Sequence, residues 1–135
     1  MKHILVVDDE APIRLLLEKI LQSAGYRVTS AADGMSALKV VREDPPDLAI
    51  CDLSMPGMDG FSVCSMLKRI RTFKSPVLVL SGRVNEKDIK AALKTGADAF
   101  IPKPVEREKL LAAIAEWLAK AAQGITGEDD SASLP

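Results

Sequence analysis

The sequence predicts an α/β fold, a parallel sheet with helices over both faces. Three observations carry that expectation. Short apolar runs alternate with amphipathic stretches of helical period from one end of the chain to the other. The runs are apolar at consecutive positions, so neither face of the sheet is left to water and helices must cover both. The spacing between runs accommodates about five strand–helix units, as a chain of 135 residues in one domain would.

The elements follow in order. Residues 3–7 (HILVV) form a compact, partly β-branched run that stops at acidic residues. Residues 11–24 place Ile13, Leu16, Leu17, Ile20 and Leu21 at helical spacing, and Gly25 closes the stretch as a helix-terminating glycine does. Residues 27–31 make a weaker strand. Asp33-Gly34 opens a helix with Ala37, Leu38 and Val41 on one face, ending before Pro45-Pro46. Residues 48–51 (LAIC) are the third run, ending at Asp52. A loop through Leu53-Ser54-Met55-Pro56-Gly57-Met58 leads to Asp59-Gly60 and a helix carrying Phe61, Val63, Cys64, Leu67 and Ile70. Residues 76–80 (PVLVL) end at Ser81-Gly82. Asn85 caps a helix holding Ile89, Ala92 and Leu93, stopped by Gly96. Residues 98–101 are a short last strand before Pro102-Lys103-Pro104. Residues 106–122 form the last helix, with Leu110, Leu111, Ile114, Trp117 and Leu118 on its apolar side.

Composition narrows the function. Hydrophobic residues make up 47% and charged residues 27%, a globular balance. The 18 basic and 19 acidic residues give a formal charge of −1, a poor basis for direct nucleic-acid binding, which needs clustered Lys and Arg. Cys51 and Cys64 stand too far apart for a C-x-x-C motif, and one histidine, His3, cannot complete a zinc set. Both cysteines read as buried hydrophobes in a reducing compartment. Nothing resembles a signal peptide or an apolar run long enough to span a bilayer, so the expected location is cytoplasmic, without membrane association.

In a parallel α/β sheet, ligands bind beyond the carboxyl ends of the strands. After the first run come Asp8, Asp9 and Glu10; after the third, Asp52; after the fourth, Ser81; after the fifth, Lys103. Each residue has a bland reading: the acidic pair as a helix cap, Asp52 as a turn residue, Lys103 as a solvated side chain. Their joint placement at strand ends argues for chemistry. Carboxylates crowded together raise one another's pKa unless a cation intervenes, and Mg²⁺ takes one or two carboxylates while keeping waters. An Asp beside such a cation and a fixed Lys is a nucleophile toward a phosphoryl group, with Ser81 and Lys103 to hold its oxygens. No Gly-rich nucleotide loop is present, and no organic cofactor is expected.

Val6-Val7-Asp8-Asp9-Glu10, the stretch Asp52-Leu53-Ser54-Met55-Pro56-Gly57-Met58-Asp59-Gly60, then Leu80-Ser81-Gly82 and Lys103-Pro104 together resemble the receiver domain of bacterial two-component response regulators. The resemblance spans residues 2–122. It implies a flavodoxin-like doubly wound sheet of five parallel strands in order 2-1-3-4-5. It implies Asp52 as the phosphoacceptor, taking its phosphoryl group from a sensor histidine kinase or a phosphotransfer protein. Mg²⁺, with Mn²⁺ as a substitute, would be held by Asp9 and Asp52, the Ser54 backbone carbonyl and, largely through water, Asp8. Lys103 would pair with the phosphoryl oxygens, Ser81 would be the switch hydroxyl and Phe100 the aromatic that moves behind it. The Lys103–Pro104 bond would be cis.

The chain departs mildly from the family pattern. Ser81 replaces the more usual Thr, Gly82 stands where Ala is common, and Phe100 stands where Tyr is frequent. Ser54 and Arg83, two positions beyond Asp52 and Ser81, would flank the attacking water. The resulting expectation is a phosphorylation-controlled signalling module acting on a downstream protein, with no enzymatic activity beyond its own phosphoryl capture and slow hydrolysis. A monomer or a phosphorylation-dependent dimer is expected. The alternatives are a receiver-like interaction module that is not phosphorylated, and a Mg²⁺-dependent phosphohydrolase with an aspartyl nucleophile. Residues 1–123 would form the receiver and residues 124–135, with Glu128, Asp129 and Asp130, a flexible acidic tail or linker.

Overall fold

A computed structural model of the chain describes residues 1–52, 60–70, 73–82, 90, 93–94 and 96–124. Its strands are β1 (His3–Val7), β2 (Arg27–Ala31), β3 (Leu48–Asp52), β4 (Val77–Ser81) and β5 (Ala99–Pro102). They form one five-stranded sheet in the order β2-β1-β3-β4-β5, every pairing parallel. The helices are α1 (Ala11–Ser23), α2 (Gly34–Glu43), α3 (Gly60–Lys68) and α4 (Arg107–Ala122). Lys90, Leu93 and Lys94 are also helical. This is the flavodoxin-like arrangement expected. The loop at 53–59 with Ser54, the residues Arg83, Asn85, Ile89 and Ala92, and the tail from 125 onward lie outside the described residues.

The consecutive apolar runs are explained by two cores, one on each side of the sheet. Leu5, Val7, Ala49, Cys51, Val77 and Val79 face Ala37 and Val41 of α2 and Val63, Cys64 and Leu67 of α3. The intervening residues Ile4, Val6, Leu48, Ile50, Leu78 and Leu80 face Leu17 and Leu21 of α1 and Leu110 and Ile114 of α4. Successive side chains of a strand point to opposite faces, so both parities must be apolar when both faces are covered. Both cysteines are buried and neither is in a disulfide, and burial pushes the Cys51 thiol pKa up.

Local signals set the boundaries. Asp33 accepts a hydrogen bond from the Ser36 amide at 2.8 Å, a cap worth about 1 kcal/mol. After α1 the chain turns through Gly25 at φ +93°, and the amides of Gly25 and Tyr26 reach back to the carbonyls of Gln22 and Leu21. Two of the described apolar residues placed on helices face solvent, one of them Leu93 at 46% exposure. Leu16 is 49% exposed, because Leu17 and Leu21 fill the space above β1 and β3 and turn the Leu16 side of α1 to solvent. Trp117 packs against the α1/α4 core, with Lys120 Nζ 4.3 Å from its ring centroid. Among the described residues, no helix is long and apolar enough to cross a membrane.

Candidate functional site

The strand order places β1, β3, β4 and β5 side by side, so four consecutive strand ends share one edge of the sheet. Asp8 directly follows β1, Asp52 closes β3, Ser81 closes β4 and Lys103 follows β5. Register brings them level. Ser81 pairs with Pro102, and the Lys103 amide donates to the Ser81 carbonyl at 2.9 Å. Asp52 and Ser81 are themselves strand residues, one position further into the sheet than the sequence pattern indicated. Both are therefore buried, each about 1% exposed.

Lys103 is held by Asp52. Its Nζ lies 2.7 Å from Asp52 Oδ2, so the reading of Lys103 as a solvated side chain does not hold. The Lys103–Pro104 peptide is cis, as expected. The helix-cap reading of the acidic pair also gives way. Glu10 stands at the cap position of α1 without a side-chain capping bond, and Asp8 Oδ1 instead accepts the Glu10 amide at 2.9 Å.

Asp8, Asp9, Glu10 and Asp52 each present a carboxylate oxygen within 4.8 Å of the others, a spacing suited to a cation. Glu10, the exposed member, was absent from the expected ligand set; its position directly after Asp8-Asp9 was the available signal. Asp8 Oδ2 and Asp9 Oδ1 are buried and have no hydrogen-bond partner among the described residues. Burial pushes the Asp8 carboxyl up to about 6, the neighbouring Asp52 charge adding to it while the Glu10 amide and Lys103 oppose it. Buried orphan oxygens, hard donors and mutual repulsion fit Mg²⁺ or Mn²⁺. Phe100, on β5, is half-buried against the α2/α3 core.

Comparison with known proteins agrees with this geometry. Residues 4–115 match the family model described as the response regulator receiver domain. The transcriptional regulatory protein AfsQ1 of Streptomyces coelicolor is 38% identical over 99% of this chain and 57% of its own length. The response regulator MprA of Mycobacterium leprae is 40% identical over 96% of the chain and 54% of its own length. The chain thus spans about half the length of these curated relatives. Among solved structures, a CheY-like response regulator receiver domain protein from Methanospirillum hungatei superposes with a TM-score of 0.85. It is 30% identical, over 93% of this chain and 99% of that one.

Proposed function

The chain belongs to the response regulator receiver domain family, and we propose on that premise that it is switched by phosphorylation of Asp52. The observation that carries the reading is the Lys103–Asp52 contact at 2.7 Å beside the orphaned oxygens of Asp8 and Asp9, all on one sheet edge. A carboxylate alone is a weak nucleophile, and these neighbours supply what it lacks.

A carboxylate oxygen of Asp52 attacks the phosphorus of a phosphohistidine on a sensor histidine kinase or phosphotransfer protein. The P–N bond breaks, its electrons leave with the imidazole, and an aspartyl phosphate forms on Asp52. Asp8, Asp9 and Asp52, with the Ser54 carbonyl, would hold Mg²⁺. When bound, the cation neutralises charge on the phosphoryl oxygens and lets these carboxylates stay ionised together. Lys103 keeps the Asp52 carboxylate oriented before transfer and pairs with the phosphoryl oxygens after it. The new group brings about −1.5 to −2 of charge and strong acceptors into a buried pocket. Ser81, on the neighbouring strand end, then has an acceptor that exists only in the phosphorylated state. Phe100 and Lys103 flank the end of the same short strand, so rearrangement at the site is coupled to the surface around Phe100. That surface would contact a downstream protein. The relative named as a transcriptional regulatory protein supports transcription as the process controlled, the described residues acting through protein contacts.

The test is intact mass after incubation with acetyl phosphate, comparing parent, Asp52→Ala and chelated samples. A phosphoryl increment that needs both Asp52 and Mg²⁺ is expected. No increment in the folded parent, from acetyl phosphate or from a phosphorylated kinase, would defeat the proposal. Turnover of phosphate monoesters would favour the hydrolase alternative.

A further inference from the structure

Arg14 had no role in the expected site, yet its guanidinium folds back from α1 over the β1–α1 turn. Its Nη1 donates to the Asp8 main-chain carbonyl at 2.7 Å. We infer that Arg14 is a positioning residue, aiming Asp8 Oδ2 and its neighbours at the cation; this rests on the Mg²⁺ site proposed above.

The polar atoms of Asp8 carry the argument. Its amide donates to the Ala31 carbonyl at 3.0 Å, its carbonyl accepts from Arg14 at 2.7 Å, and its Oδ1 accepts the Glu10 amide at 2.9 Å. Oδ2 is the remaining polar atom, buried and without a partner among the described residues. Three tethers therefore fix the backbone and rotamer so that one oxygen is presented to the pocket. The first belongs to the edge of the sheet and the third is local to the turn. The Arg14 tether alone comes from a side chain, and it spans from the first turn of α1, whose backbone is itself bonded to Glu10 by the Arg14 amide at 3.0 Å. Without it the Asp8 carbonyl loses its side-chain donor, and the turn bearing Asp8, Asp9 and Glu10 keeps two tethers instead of three and gains freedom to shift. Three of the four clustered carboxylates would be held less precisely.

Charge alone makes the opposite prediction. A guanidinium beside an acidic pocket repels a cation, so deleting it would tighten Mg²⁺ binding. Calorimetric titration with MgCl₂ of the parent, Arg14→Ala, Arg14→Lys and Arg14→Gln separates the two. Partners of metal ligands commonly govern affinity by about 10-fold or more, so Arg14→Ala is expected to weaken Mg²⁺ by about that factor. Arg14→Lys, retaining a donor and the charge, should recover most of it, and Arg14→Gln should weaken binding less than Arg14→Ala. In the acetyl phosphate reaction, the Mg²⁺ concentration for half-maximal rate should rise while the rate at saturating Mg²⁺ stays within about twofold. Binding by Arg14→Ala as tight as the parent, or tighter, overturns the inference. If that variant does not fold, unchanged or tighter binding by Arg14→Gln overturns it. A parent that binds no Mg²⁺ removes the site itself, whereas a parent that binds alongside an unaffected Arg14→Ala removes only the role of Arg14.

Discussion

Two lysine–aspartate pairs stand at opposite ends of the sheet with the same 2.7 Å contact, and they do different work. At the amino end, Lys68 Nζ meets Asp98 Oδ2, which also accepts the Val77 amide at 2.8 Å. The pair ties the end of α3 to the start of β4 and the segment entering β5, with both side chains nearly inaccessible. At the carboxyl end, Lys103 meets Asp52, but Asp8, Asp9 and Glu10 crowd the same space, and Lys103 is 23% exposed. One pair is enclosed and neutral; the other leaves acidic charge unbalanced. A lysine–aspartate contact is thus no sign of function by itself. The surplus of buried acceptors around the second pair is what marks it.

The largest effect that would break the contrast lies at the structural pair. Asp98→Ala strands the Val77 amide and leaves the Lys68 ammonium with the Ser75 carbonyl at 3.4 Å but without its counter-charge, and breaking a buried pair costs about 3–5 kcal/mol. Urea unfolding should show a loss of that order, unrelieved by Mg²⁺. A loss below about 1 kcal/mol would mean that the amino-end pair is not structural.

The carboxyl-end pocket should behave oppositely. The Asp8 carboxyl titrates at about 6 when folded, against an ordinary 3.8, so the folded, metal-free protein binds that proton more tightly than the unfolded chain. Its unfavourable contribution is absent below pH 4, develops as pH rises from about 4 to 6, and is complete above that. Asp8→Asn should therefore stabilise the metal-free protein above pH 6 by about 1 kcal/mol, the shift being discounted for solvent screening, and should flatten that pH window. Thermal melts at pH 4.5 and 7.5 check the sign, and Asp8→Asn should also lose the stabilisation that Mg²⁺ gives the parent.

A smaller effect sharpens the assignment within the site. Ser81→Ala should leave the Asp52 mass increment intact and change stability by about 1 kcal/mol or less. It should reduce the phosphorylation-dependent shift of the Phe100 ring resonances in NMR spectra. An undiminished shift would place the switch elsewhere.

Much of this was legible in the sequence because it is written locally. Strand ends follow from apolar runs, and the residues after those runs share an edge in any parallel sheet, so Asp8, Asp52 and Lys103 could be grouped before their contacts were seen. The parallel order itself came from resemblance, since periodicity does not rank strands. What stayed hidden depends on side chains crossing between elements. Lys68 and Asp98 meet only because α3 and the entry to β5 flank the start of β4, a tertiary fact. Arg14 sits at a half-exposed helical position where an arginine reads as solvated. Leu16 fits the helical stripe as well as Leu17, and only the location of the sheet decides which is inward.

The last strand has a consequence for how copies or partners can attach. β5 is the edge of the sheet and four residues long. Amides alternate in direction along a strand, and the Lys103 amide points inward to Ser81, so the nitrogen of Pro102 faces outward, where a sixth strand would seek a donor and finds none. Toward the start of β5 the alternation is interrupted, the Asp98 amide also reaching the Val77 carbonyl at 2.8 Å. A main chain laid along this edge would meet a missing donor at Pro102, which disfavours strand addition and favours association through side chains.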